Sequence, residues 1–469
     1  MRNLSIDQVA ALIGAPIPGE AGIAGPDVVI DSRLATPGSV FVALPGERVD
    51  GHDFIAAAAK AGAVAAICTR LTDAPLAHLV VPDALQALTD LATAAVAEAR
   101  DEGLRTIAIT GSSGKTSTKD LLGQVLAAYA PTVRPKGSFN NEIGVPLTAL
   151  RLDADTAFLV SEMGARGGGH IAWLCRIVPP DVGVVLNVGH AHLGEFGSVA
   201  GITAAKGELV EAVGADGWAV LNADDPNVAS MATRTSGRLA YFGLDADPGV
   251  GDLRVWADDP VPDDLQRFSF TLRSAGLVDA CVPVTLGGPG RHQVANALAA
   301  ASAALLLGVD AVQIAHALTA AKADSAWRMQ LMPRPDGALV VNDAYNANPD
   351  SMRAALSSVA GMRRGGRLIA VLGDMLELGP EAPVEHETLG ALAAGLGFEV
   401  VAIGQHAEHL ARGVRAEFGT VTVVKDREEA VAVAGRDLQP TDIVVVKASR
   451  GLGLERVADA LAGEGSAPA

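Results

Sequence analysis

The residues best suited to chemistry lie together at Gly111-Ser112-Ser113-Gly114-Lys115-Thr116, directly after the apolar run Thr106–Thr110 and directly before the helical pattern KTSTKDLLGQVL. Glycines let backbone N–H groups wrap closely around phosphate oxygens, and a helix N-terminus adds partial positive charge. In this strand–loop–helix setting, Lys115 is expected to reach the outer phosphates of a nucleotide and Thr116 or Ser117 to hold Mg²⁺. The longer form of the motif wants a glycine at position 109, where this chain has Ile109, so the loop is short. The competing reading is a plain Gly/Ser turn, which GKT in this context disfavours. No NKxD-like guanine reader occurs, which favours ATP over GTP.

Other candidates are scattered along the chain. Glu162 ends the apolar run AFLVSE, and strand ends beside a phosphate loop are where open α/β sheets place ligands. The alternative is a solvated or helix-capping glutamate. His190 and His192 form an H-x-H that puts both rings on one face of an extended segment. Zinc is weighed and disfavoured there, because no third His or Cys lies nearby. Lys206 sits in the amphipathic pattern ITAAKGELVEAV, where most lysines are simply solvated, although a desolvated one can turn neutral and add CO₂. Asn140 and Asn141 follow Gly-Ser-Phe, a sequence equally natural in a loop.

The elements that must position these residues are legible as short apolar runs alternating with helical patterns. TIAIT, VGVVLNV, RLIAVLGD and DIVVVKAS are apolar at consecutive positions, as strands buried on both faces of a parallel sheet are. The fold class is therefore α/β. At 469 residues, and with ~150 residues per domain, three domains are expected. The charged segment before Thr106 and the Pro/Gly-rich stretch after Ala323 divide the chain into 1–102, 103–325 and 326–469. The polar stretch Asp245–Val284, with the alternating RFSFTLR, is predicted to be an antiparallel appendage on the middle domain. A net charge of −18 argues against a nucleic-acid partner. The scattered Cys68, Cys175 and Cys281, the absence of a signal-peptide core and the lack of any ~20-residue apolar span suit a cytoplasmic protein without a membrane span.

TGSSGKTS resembles the nucleotide loop of the Mur ligases and folylpolyglutamate synthetases and brings in Thr110. Asp31–Phe54 is similar to a UDP-sugar-binding domain of the Mur family. KGSFNNEIGVPLTAL, HAHLGEFGS, NDAYNANPDSM and LGDMLELG, in that order, resemble the branch of the family that adds D-alanyl-D-alanine. This resemblance implies a central P-loop-type domain, a Rossmann-like C-terminal domain and an N-terminal domain for the UDP-linked substrate. It implies an ATP- and Mg²⁺-dependent ligase that joins D-alanyl-D-alanine to UDP-N-acetylmuramoyl-tripeptide through an acyl phosphate, working as a monomer. The diamino-acid-adding branch is the runner-up, and a nucleotide-binding protein without ligase activity is the alternative from another class.

The resemblance also assigns roles. Lys115, His192 and Lys206 become catalytic. Thr116, Ser117, Glu162, His192 and Lys206 become metal-site residues, with Lys206 as a candidate N6-carboxylysine, and His190 has no role. The GRHQVANALAA helix resembles a family pattern whose second Asn contacts adenine, here Asn296; Gln293 replaces the first. Arg328, Asp343 and Asn346 match positions that close over ATP. Ser32 and Arg33 match residues facing the UDP-sugar, and Asn140 and Asn141 match substrate contacts. Lys447 and Arg450 match a KGSR pattern near the acceptor, with Ala448 in place of its glycine, and surface charge is an equally good reading of both.

Overall fold

The protein is described by a computed structural model covering residues 1–19, 22–46, 49–189, 196–362 and 364–463. The first domain holds a four-stranded parallel sheet of Val28–Val29, Val40–Val42, Ala65–Cys68 and Ala77–Val80. The helix Ala84–Asp101, capped by the Asp83 carboxylate, follows it and leads to the first strand of the middle domain. Its apolar face packs against the helices Gly144–Ala149 and His170–Ile177. One continuous core therefore joins the first domain to one face of the central sheet.

The central sheet has nine strands. From the inner edge its order is Thr132–Val133, Phe158–Glu162, Arg105–Thr110, Val182–Val185, Trp218–Asn222, Arg238–Gly243 and Leu253–Pro262, all parallel, then Arg267–Gly276 and Ala280–Pro289, both antiparallel. The strand Arg105–Thr110 is buried from Thr106 to Thr110 because it is covered on both sides. Ile107 and Ile109 enter the core beneath the helices Lys115–Ala127 and His292–Leu306, while Ala108 faces the core shared with the first domain. In RFSFTLR the alternation is real: Phe268, Phe270 and Leu272 are buried and the residues between them are not. The expected appendage is thus a meander that continues the central sheet.

The last domain is a six-stranded sheet ordered Gln330–Pro333, Leu339–Asn342, Ile443–Lys447, Leu368–Leu372, Phe398–Ile403 and Val421–Val424, parallel except for its first strand. Helices cover both faces, giving two cores. The joint between the middle and last domains carries two non-glycine residues at positive φ, Trp327 and Met329, on either side of Arg328. Left-handed backbone is unfavourable for side-chain-bearing residues, so the surrounding structure must hold this joint.

Candidate active site

The phosphate loop sits at the carboxyl end of the strand Arg105–Thr110, between two parallel neighbours. Gly114 has φ +80°, and a Cβ there would fall 2.5 Å from the Asn296 Oδ1. Glycine is required on both counts. The loop is braced by Asn187, whose Oδ1 accepts from Ser113 N at 2.9 Å and whose Nδ2 donates to Ser113 O at 3.2 Å. Ser112 N donates to Asn187 O at 3.1 Å. Two loop N–H groups are therefore already used, and the open donors are those of the first turn of the helix Lys115–Ala127. This narrows the expected cradle to the helix start. In the sequence Asn187 is marked only by being a polar residue just beyond the end of a buried strand.

Lys115 arches back, and its Nζ donates to Gly111 O at 2.5 Å. Burial pushes its pKa down, Glu162 opposes this, and Arg328 adds to it. Glu162 is only 1% exposed. Its Oε2 accepts from Thr116 Oγ1 at 2.9 Å, and its Oε1 accepts from Ser138 Oγ and Asn140 Nδ2, both at 2.8 Å. Ser138, to which no motif in the sequence assigns a role, is part of this set. Asn141 does something different: its Oδ1 accepts from Ile143 N at 3.3 Å and Gly144 N at 2.9 Å and so holds the turn that enters the helix Gly144–Ala149. Thr110 is buried behind the loop, its hydroxyl donating to Met163 O at 2.9 Å.

Lys206, on the helix Val199–Glu211, is 5% exposed and lies on the same cavity wall. Burial holds its pKa well below the ordinary lysine value, and Lys115 adds to the effect. No described residue accepts a hydrogen bond from it. The segment leading to the H-x-H motif is fixed by Gly189 N donating to Ser112 Oγ at 2.8 Å and Val188 N donating to Asp225 Oδ2 at 2.7 Å. His190 and His192 themselves lie outside the described residues. A Cβ on Gly189 would meet the Asp350 carboxylate at 2.0 Å, so the last domain approaches the loop closely here.

The last domain closes the site. Arg328 Nη2 donates to Thr116 Oγ1 at 2.8 Å, and its guanidinium lies 4.1 Å over the Tyr345 ring, a cation–π contact. Its Nε is buried with no hydrogen-bond partner among the described residues, so the fork keeps a donor for an anion. Asp343 is fully engaged: Oδ1 accepts from Met329 N at 2.9 Å and Oδ2 from Lys447 Nζ at 2.6 Å. Lys447 also donates to Asn346 O at 2.9 Å, which makes it a brace for the loop after the strand Leu339–Asn342. Arg450 stacks 4.2 Å over Trp327 and pairs with Glu455 at 2.7 Å. Asn296 Oδ1 accepts from Thr118 Oγ1 at 3.2 Å, and its Nδ2 donates to Gln293 Oε1 at 3.0 Å. His292 lines the cavity too; burial lowers its pKa, Asp343 opposing and Lys447 assisting.

These residues line one polar cavity of about 550 Å³. It gathers Ser112 to Ser117, Asn140, Asn141, Glu162, Lys206, Asn296, Arg328, Asp343, Asn346, Lys447 and Arg450. Ser32 and Arg33 are elsewhere, on a short turn of the first domain, where Arg33 donates to the Asp31 carboxylate and its side chain is 86% exposed. The donor set suits a hard cation. Thr116 hydroxyl and Glu162 carboxylate are both oxygen ligands, and Mg²⁺ takes few protein ligands beside phosphate and water. Among the described residues no group of three or more His, Cys, Asp or Glu forms a metal cage.

A phosphate loop faced across a polar cleft by an arginine from a second α/β domain defines a multidomain nucleotide-dependent enzyme. Three family models match the chain: "Mur ligase family, catalytic domain" over residues 27–106, "Mur ligase middle domain" over 109–304, and "Mur ligase, glutamate ligase domain" over 327–450. The chain belongs to the Mur ligase family. It is 44% identical to the UDP-N-acetylmuramoyl-tripeptide–D-alanyl-D-alanine ligase of Mycobacterium bovis, with 98% of both chains covered. A crystal structure of MurF from Acinetobacter baumannii superposes with a TM-score of 0.86 at 32% identity, covering 99% of each chain. MurF from Thermotoga maritima in complex with ADP gives a TM-score of 0.78 at 30% identity, over 93% of this chain and 97% of the other. Among the described residues no helix is long and apolar enough to cross a membrane.

Proposed function

We propose that this chain is an ATP-dependent ligase that joins D-alanyl-D-alanine to UDP-N-acetylmuramoyl-tripeptide in the cytoplasm, acting as a monomer. The observation that carries the reading is the cavity in which the phosphate loop, the Glu162 carboxylate and the cations of the last domain converge, in a chain alike over its whole length to enzymes of that name.

The substrate carboxylate attacks the γ-phosphorus of ATP, giving an acyl phosphate and ADP. The incoming amine, having lost a proton, adds to the acyl carbon, and the tetrahedral intermediate expels phosphate to leave the amide. Both steps gather negative charge, so fixed cations and dipoles matter most. Lys115 and Arg328 meet the phosphates, with Arg328 kept in place by Thr116 and Tyr345. Thr116 and Glu162, with Ser117 and His192, hold Mg²⁺, which neutralises phosphate charge when bound. Asn296 faces the adenine.

Lys206 is buried, without a partner among the described residues, and its amine is held toward the neutral form. Those are the conditions under which an amine adds CO₂, and the resulting N6-carboxylysine supplies the anion that the metal site wants. Asn140 and Asn141 meet the reacting end of the tripeptide, Ser32 and Arg33 of domain 1–102 its diphosphate, and Lys447 and Arg450 of domain 326–469 the acceptor. Domain 103–325 carries the nucleotide.

The test is ADP release with purified protein, ATP, Mg²⁺ and UDP-N-acetylmuramoyl-tripeptide, with and without D-alanyl-D-alanine. Sustained release only when both are present, with amide product by mass spectrometry, supports the reading. Release independent of either substrate would identify a bare ATPase instead.

A further inference from the structure

One wall of the cavity carries charges that the ligase chemistry above does not use. Gly164 N donates to Asn140 O at 2.8 Å, and the chain then turns through Arg166 and three glycines into the helix His170–Ile177. Arg166 Nη1 donates to Glu142 Oε1 at 3.2 Å. Arg166 N donates to His170 Nδ1 at 3.3 Å, which places the ring proton on Nε2, 3.6 Å from Glu142 Oε2. That Glu142 Oε2 is buried and has no hydrogen-bond partner among the described residues. The turn is fixed from behind, because Gly169 N and Ala172 N donate to the Glu208 carboxylate at 2.6 and 3.0 Å. In front it is open. The Arg166 side chain is 62% exposed, and a Cβ at Gly167 would meet no described residue within 4 Å.

The position decides which group this arginine meets. The helix His170–Ile177 packs on Ala84–Asp101 of the first domain, so Arg166 stands on the route from that domain to the phosphate loop. Under the ligase reading, on which this inference rests, a tripeptide tethered through its UDP-sugar to the first domain must follow that route. Its reacting carboxyl belongs near Asn140 and Glu162, and the side chain of its last residue then extends along the wall beyond Asn140. The acceptor's carboxylate is served from the opposite side by Arg450. A guanidinium held on one edge by a glutamate presents its other edge as a fork that matches a carboxylate.

We propose that Arg166, oriented by Glu142 and His170, is a specificity-determining residue that binds the distal carboxylate of the tripeptide's third residue. The wall thereby selects a diamino-dicarboxylic acid over lysine at that position. The distal ammonium of such a residue pairs with the Glu142 carboxylate, supplying the partner its buried oxygen lacks among the described residues.

The experiment compares kcat/KM for two UDP-muramoyl tripeptides, one ending in a diamino-dicarboxylic acid and one in lysine, in the parent protein, Arg166→Leu and Glu142→Gln. A lost charge-assisted pair predicts that Arg166→Leu costs about 10- to 100-fold on the dicarboxylate substrate and collapses the ratio between the two, with KM for ATP unmoved. Glu142→Gln should move the ratio the same way by less. Equal losses on both tripeptides would put Arg166 on a carboxylate they share, and no loss on either would make it bystander surface charge. Both results overturn the assignment while leaving the ligase reading intact. Failure of the parent protein to turn over either tripeptide would overturn that reading and this assignment with it. Circular dichroism of each variant reports the fold separately.

Discussion

Glu162→Gln changes charge while keeping shape. In the parent the carboxylate accepts three hydrogen bonds, from Thr116, Ser138 and Asn140. The amide can keep its oxygen toward Ser138 and Asn140, and Thr116 Oγ1 can rotate to accept from the new N–H. One bond of about 1 kcal/mol is weakened, so the unliganded fold should change by that much or less. The cost to catalysis is larger. The metal site loses its buried carboxylate, and Lys115 loses the anion that opposes the lowering of its pKa. Removing one preorganised electrostatic partner from a site of this kind costs roughly 3–4 kcal/mol, or about 10²–10³ in kcat. Half-saturation by Mg²⁺ should also rise by at least the ~10-fold typical of weakened metal support. Steady-state ADP release over a Mg²⁺ titration, beside thermal unfolding without nucleotide, measures all three. A variant with kcat within twofold of the parent and the same Mg²⁺ requirement would remove Glu162 from the metal site.

Lys206→Ala should lose nearly all activity, and a small exogenous carboxylate should restore part of it, whereas CO₂ should not, because no amine remains; parent-like turnover would leave Lys206 an ordinary buried lysine. Because its folded pKa lies below the unfolded value, the unfolded chain binds the extra proton between the two. Stability of the unmodified protein should therefore rise with pH from the depressed folded pKa toward ~10.4, and Lys206→Met should flatten that rise in thermal melts. Arg33→Ala should raise KM for the UDP-linked substrate about tenfold or more while sparing KM for ATP, as loss of a ground-state contact does; equal effects on both would make Arg33 structural. Arg328→Lys retains the charge but not the planar stack on Tyr345 or the fork to Thr116, so kcat should fall about tenfold or more in single-turnover assays; a normal rate would show that a point charge suffices.

The local sequence determined what short-range physics controls. A consecutively apolar run needs cover on both faces, so TIAIT and DIVVVKAS could be read as buried parallel strands. Alternation in RFSFTLR could be read as a half-exposed strand. Gly111 and the GKT at Gly114–Thr116 could be read as a phosphate loop because the strand, turn and helix are contiguous. What the tertiary structure decided are contacts between residues far apart in the chain. Arg328 meets Thr116 across 212 positions and Ser113 meets Asn187 across 74. No periodicity reports such pairs, because they depend on how domains and strand ends are stacked. Adjacent asparagines of identical chemistry divide between two tasks for the same reason: Asn140 reaches Glu162, while Asn141 holds the turn that enters a helix. Lys447 is as basic in sequence as Lys206, yet it is neutralised by Asp343 while Lys206 is left without a described partner. A side chain's type is written in the chain, but its burial, charge and partner are set only when the sheets bring their carboxyl ends together around one cavity.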